Sequence, residues 1–117
     1  MKLFPRLNNE VYVYLSVPDR DKVPDGYLFV FHETEGVTVV MEEGAALKAG
    51  FECIFRSRWI TLEAQTNLSG IGITAAFSKA LSEAGISCNV VAAVRHDHIF
   101  VPVEYAEEAL KILNDLN

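Results

Sequence analysis

The chain has 117 residues, half of them apolar and 22% charged, enough for a packed core and too apolar for a disordered segment. Its 16 acidic residues outnumber 10 basic ones, for a net charge of −6, and no Lys/Arg cluster reverses that sign locally. Phosphate backbones and anionic bilayers are therefore repelled, which argues against nucleic acid and membrane as partners. The longest apolar run, residues 90–94, is far too short to cross a bilayer, and the first residues lack the apolar stretch of a secretion signal. Cys53 and Cys88 stand apart, without a CxxC or a histidine at ligand spacing, so both read as inert thiols in a reduced, cytoplasmic protein.

In chain order, residues 10–17 alternate apolar and polar and predict a strand. Residues 18–26, with two prolines, several charges and a glycine, predict a loop. Residues 27–32 and 37–41 predict a hairpin around Glu33-Thr34-Glu35-Gly36, followed by a short helix over 42–49, ended by Gly50, and a strand over 51–55. Residues 58–65 alternate again, with Ile60, Leu62 and Ala64 on one face and Trp59, Thr61, Glu63 and Gln65 on the other. A helix is predicted over 70–84, because Ile73, Ala76, Phe77, Ala80, Leu81 and Ala84 form one stripe. Asn67 or Ser69 can cap its start and Gly85 its end. Residues 86–94 are nearly all apolar after Asn89, as in a strand covered on both faces. Arg95-His96-Asp97-His98 reads as a polar turn, 99–101 as the next strand, and 104–116 as a helix burying Ala106, Ala109, Leu110, Leu113 and Leu116.

The second half thus runs strand, helix, strand, strand, helix, and the first half strand, loop, strand, strand, helix, strand. Both orders approach βαββαβ. The fold class is α+β, a ferredoxin-like sheet-and-helix sandwich made of two degenerate halves, residues 1–56 and 57–117, around a shared core. The half over 57–117 lacks its last strand, which residues 51–55 or the strand from Glu10 would supply.

From Trp59-Ile60-Thr61-Leu62 through Gly72-Ile73-Thr74-Ala75-Ala76-Phe77, Ala84-Gly85-Ile86-Ser87-Cys88-Asn89 and His96-Asp97-His98-Ile99-Phe100-Val101-Pro102, the chain resembles an ACT domain. More narrowly it resembles a small stand-alone family of bacterial ACT-like proteins, a match that extends to Val11–Val17 and Glu35-Gly36-Val37-Thr38. The resemblance implies a βαββαβ fold, pairing of domains as a homodimer or within the chain, and an amino-acid effector near the first strand-to-helix loop. The family's helix-start glycine corresponds to Gly72, and its turn glycine to Gly85. The residue before Gly72 is Ile71 where the family often has Pro. The polar residue three before it is Ser69, and the polar residue opening the second strand is Ser87, with Asn89 two residues later.

The loop over 66–72 also argues for a site on chemistry alone. The free N–H groups opening a helix favour an anion such as an α-carboxylate. Gly70 and Gly72 allow a ligand to approach the backbone, and Asn67, Ser69, Ser87 and Asn89 offer neutral donors and acceptors. The candidate ligand-binding set is therefore Asn67, Ser69, Gly70, Ile71, Gly72, Ser87 and Asn89. The competing reading is a capped helix, with Gly72 needed for close packing and Asn89 satisfied inside the fold.

No catalytic set is legible. Cys88 has no histidine placed by a motif, Gly70-Ile71-Gly72 lacks the third glycine of a dinucleotide loop, and His96 with His98 lacks a third metal ligand. The expected function is an ACT-type regulatory module that binds an amino acid or related metabolite, is not an enzyme, and carries no cofactor or metal. The alternative is an interaction module that kept the fold and lost the ligand, with Trp59 as a contact.

Overall fold

The structure is a computed structural model that describes residues 2–65 and 69–116. It holds six strands and three helices: β1 (Pro5–Val17), β2 (Phe29–Glu33), β3 (Gly36–Glu42), α1 (Glu43–Lys48), β4 (Phe55–Leu62), α2 (Ile73–Glu83), β5 (Asn89–Ala92), β6 (Asp97–Pro102) and α3 (Ala106–Asp115). The chain divides into two compact units, one of Met1–Asn9 with Arg58–Asn117 and the other of Glu10–Ser57. Strands β1 and β4 each contribute to both.

In the first unit the hydrogen-bonded strand order is β1, β4, β6, β5. Alternation along β4 and β6 sends Ile60, Leu62, Ile99 and Val101 to one face, where they pack with Phe77 and Leu81 of α2 and with Ala106, Ala109 and Leu113 of α3. Both helices carry one apolar stripe, as their spacing requires. Leu3 is 3% exposed in the same cluster. The β5–β6 hairpin pairs Asn89 with Phe100 through to Ala92 with Asp97.

In the second unit the order is β2, β3, β1, β4, with β3 antiparallel to both neighbours from Tyr12↔Glu42 to Val17↔Val37 and from Phe29↔Val40 to Glu33↔Gly36. Val13, Leu15, Val17, Val37, Val39 and Met41 form its own cluster with Ala46 of α1. Gly36 is obligatory at the turn: its φ is 153°, and a Cβ there would lie 2.7 Å from the Val17 carbonyl oxygen.

In each unit the four strands stand in the order second, third, first, fourth of a βαββαβ unit. The last strand missing from 57–117 is supplied by the opening residues of β1. This corrects the expectation that β1 begins at Glu10 and that 51–55 forms a strand of its own. Residues 51–54 have no strand structure, and Phe55 opens β4. The Leu3 and Phe4 carbonyls accept hydrogen bonds from the Ala64 and Glu63 amides at 3.1 and 3.0 Å, which fixes the chain start against the end of β4. Each unit has an apolar cluster of its own, in place of the one shared core expected.

Substitutions near a chain terminus are usually tolerated, but Leu3→Ala should cost about 2–5 kcal/mol, as in a core. Urea unfolding measures it, and a loss within about 0.5 kcal/mol would contradict the assignment of Leu3 to the core. Residues 58–117 alone should likewise give no dispersed amide spectrum.

Candidate functional site

Helix α2 opens at Gly72, which takes φ 95° and ψ −20° and makes no side-chain cap. Its carbonyl accepts the Ala76 amide at 3.0 Å. A Cβ at Gly72 would meet nothing within 4 Å, so this glycine serves the left-handed turn and not a close packing contact. Ser69 and Gly70 are exposed, and Ile71 is 96% exposed. By helix geometry the first-turn amides have no partner within α2. Asn67 lies outside the described residues.

Ser87 and Asn89 stand at the other end of the helix. Gly85, at φ 75°, ends α2, and the Ile86 amide donates back to the Leu81 carbonyl at 3.0 Å. Eleven helical residues separate the two ends by about 16 Å, so one amino acid cannot touch both groups. Asn89 donates from Nδ2 to the Phe100 carbonyl at 3.4 Å. Ser87 lines a surface groove of about 530 Å³ with Ser78, Lys79, Ser82 and Cys88. Burial pushes the Cys88 thiol up to about 11, so it stays protonated at neutral pH and a nucleophilic role is disfavoured. The predicted set is thus two places: Ser69 to Gly72 at the helix start, and Ser87 with Asn89 at its end.

A second cluster, of hydrogen-bonded polar side chains, was not anticipated. It lies on the face of the first unit's strands away from α2 and α3. Arg6 of β1 hydrogen-bonds Glu63 and donates to Asn8 Oδ1 at 2.6 Å. Asn8 Nδ2 donates to Thr61 Oγ1 at 3.1 Å, and Thr61 lies 3.2 Å from His98 Nδ1. Trp59 Nε1–H donates to that same nitrogen at 3.0 Å, while its ring stacks on Phe100 at 6.1 Å. Indole N–H can only donate, so His98 Nδ1 carries no proton and the ring is the neutral Nε2–H tautomer. The expected polar turn over 95–98 holds for Arg95 and His96 only: β6 starts at Asp97, which is buried, and His98 is half-buried. The alternation of Trp59, Thr61 and Glu63 was the sequence signal for this face, but its partners Arg6 and Asn8 required knowing that β1 begins at Pro5.

Burial lowers the His98 pKa from its ordinary 6.5, helped by His96 and Arg6 and opposed by Asp97 and Glu63. The Arg6 hydrogen bond holds the Glu63 carboxyl below its usual range. Because folded His98 binds its proton more weakly than the unfolded chain does, its contribution to stability is complete above 6.5 and declines as pH falls through the lowered value. We expect unfolding free energy to fall as pH drops below about 6.5, with His98→Gln, which keeps an acceptor and cannot titrate, flattening part of that slope. Urea titrations followed by Trp59, the one tryptophan, measure it; equal slopes in both proteins would refute the assignment.

Residues 54–115 match the ACT domain family, and residues 1–58 match a second ACT domain description. No curated protein sequence matches significantly. Among solved structures, a Vibrio cholerae protein of unknown function, named a possible transport protein, shares 36% identity over 99% of this chain and 90% of its own, with a TM-score of 0.88. An Agrobacterium tumefaciens protein superposes with a TM-score of 0.74 at 16% identity, over 97% of this chain and 87% of its own. The ligand-free regulatory subunit of aspartate kinase from Thermus thermophilus does so with 0.70 at 14% identity, over 97% and 95%. The last two likenesses speak for the fold alone. With a family match over more than half its length and strand orders that repeat βαββαβ in each unit, the chain belongs to the ACT domain family.

Proposed function

We propose that this chain is a non-catalytic, cytoplasmic regulatory module that binds an amino acid or related small metabolite at the start of α2 and acts as a homodimer. The observation that carries the reading is Gly72: a left-handed residue with open space above it, set before helix amides that suit a carboxylate. Ser69 adds a hydroxyl on the approach, and Gly70 keeps it free of side-chain bulk. Family membership and the regulatory subunit with the same fold support the sensing role. For pairing, β5 stands at the end of the first unit's strand order and carries Val90 and Val91, an edge that a second copy can extend.

Ile71 favours a second reading. A large aliphatic side chain that is 96% exposed fits equally a surface covered by another protein, with no small ligand.

A thermal-shift screen against the twenty amino acids separates the two, since a ligand at a hundredfold excess over its Kd stabilises by about 2.7 kcal/mol. Ile71→Asp places a carboxylate beside the helix start, where it competes with that of the ligand. Ser69→Ala removes a hydroxyl with little volume. Each should cut affinity by about ten- to a hundredfold, while Ile71→Asp leaves the ligand-free melting temperature unchanged or raised. An undiminished ligand-induced rise in both variants would place the site elsewhere. Light scattering at twice the 13.0 kDa chain mass is expected for the dimer, and a monomer at micromolar concentration would remove it.

A further inference from the structure

On the face of the first unit's strands away from α2 and α3, three hydrogen bonds run in one direction. Arg6 Nη1 donates to Asn8 Oδ1 at 2.6 Å, and Asn8 Nδ2 donates to Thr61 Oγ1 at 3.1 Å. Thr61 Oγ1 stands 3.2 Å from His98 Nδ1, an unprotonated nitrogen, so its hydroxyl donates there in turn. Trp59 Nε1–H reaches the same nitrogen at 3.0 Å. A single lone pair thus ends the line and holds the indole.

The two donors respond differently when Nδ1 takes a proton. Thr61 can turn its hydrogen away and accept from the imidazolium, because a hydroxyl oxygen has two lone pairs. The indole has no acceptor to offer, and its N–H then faces another N–H. Trp59 is therefore the group that must leave. Its ring lies 16° from parallel to that of Phe100, at 6.1 Å. Phe100 is 1% exposed yet belongs to neither apolar cluster, so an indole that swings out takes one cover off it. The backbone beneath is held independently: the Trp59 carbonyl accepts Asn8 Nδ2 at 3.1 Å, and the neighbouring Ile60 is packed under the helices. Few charges face the His98 ring. Arg6 comes from β1, Glu63 from the exit of β4, and His96 and Asp97 from the chain just before it, while Val91, opposite on β5, is uncharged. Burial favours the neutral ring, His96 and Arg6 add to that, and Asp97 and Glu63 oppose it. Arg6 and Glu63 are ion-paired, so their effects on the ring largely offset each other.

We propose that Trp59 and His98 form an acid-released latch: neutral His98 holds the indole down on Phe100, and protonation at Nδ1 swings it into solvent while the strands and helices of the first unit stay folded. The latch is a two-state element biased by one proton. Its closed state hides a tryptophan, a side chain that suits a protein contact, and its open state presents it. No ligand at the α2 start is needed for it to work.

Fluorescence and amide-resolved NMR of the full chain between about pH 8 and about pH 5 test it. Trp59 is the one tryptophan, so its emission and its indole N–H resonance report the latch alone. The expected result is a reversible red shift of emission, with stronger acrylamide quenching. It should follow the His98 ring titration, below the ordinary 6.5, while the amides of α2 and α3 keep their dispersion. His98→Gln, which keeps an acceptor, should remove the transition, and His96→Gln should retain it. Trp59→Phe keeps a ring over Phe100 and removes the donor that favours neutral His98, so the His98 ring protons should titrate at higher pH in that variant. An unchanged or lower titration there would overturn the latch. So would an indole signal that stays constant while His98 titrates, a change that appears only with the loss of amide dispersion, or one that survives His98→Gln.

Discussion

The first unit depends on a strand that comes from the far end of its sequence. Without residues 3–9, β4 would present a row of unpaired amides and carbonyls on one side, and the cluster beneath it would lose Leu3. The hydrogen bonds from Ala64 and Glu63 to the Leu3 and Phe4 carbonyls close that edge. They span about sixty residues, so their loop-closure entropy must be met before they contribute. Contacts of that range slow folding, because the unit cannot finish until both ends of the chain are present. The placement of α2 follows from the same closure, since Phe77 and Leu81 pack on Ile60, Leu62 and Leu3 together.

Sharing β1 between two units imposes a strict division of its side chains. The odd residues Val11, Val13, Leu15 and Val17 enter the second cluster and Leu7 the first. The even ones face the other way: Arg6 and Asn8 into the hydrogen-bonded chain that ends at His98, and Tyr14 into an aromatic group with Phe29 and Phe55 at 6.3 and 5.6 Å. Burial there pushes the Tyr14 hydroxyl up to about 12. A slip of one residue between β1 and β4 would put Leu7 against Thr61 and Asn8 into the apolar cluster. The polar chain therefore specifies register as much as it stabilises, because each misplacement leaves a half-buried donor or acceptor without a partner.

Much of this was legible from pattern alone. The stripe from Ile73 to Leu81 gave α2, the alternation after Arg58 gave β4, and Glu35-Gly36 gave the β2–β3 turn, each because a local period or a left-handed glycine decides the conformation. The boundaries that failed share one cause. Arg6, Asn8 and Asn9 look like loop residues, and only a partner strand sixty positions away makes them half of a sheet. Residues 51–55 failed in the opposite direction: apolar Phe51, Cys53 and Ile54 resemble a strand, but Phe51 and Cys53 pack individually on the second cluster and pairing begins only at Phe55. For the site, residue type was readable and distance was not. Ser69 and Ser87 have suitable chemistry, yet eleven residues of intervening helix put them at opposite ends, a separation that follows from the rise per residue once the direction of α2 between the strands is considered.

A binding module of the kind proposed would have to convert occupancy into a change that another protein can read, and the exit of β4 is where several parts of the first unit meet. The segment that leads to it leaves β4 at Glu63 and Ala64, whose amides hold the chain start and whose Ala64 carbonyl accepts from His96 Nδ1 at 3.4 Å. Three separate pieces of chain, the N-terminal strand, the exit of β4 and the β5–β6 turn, therefore meet at one short stretch of backbone. Coupling of about 1–3 kcal/mol is typical between linked sites, and one or two charge-assisted hydrogen bonds supply that much. The sheet itself is too closely packed to deform by degrees. The discrete element that a proposed ligand would have to bias is this junction of hydrogen bonds, which holds the first strand.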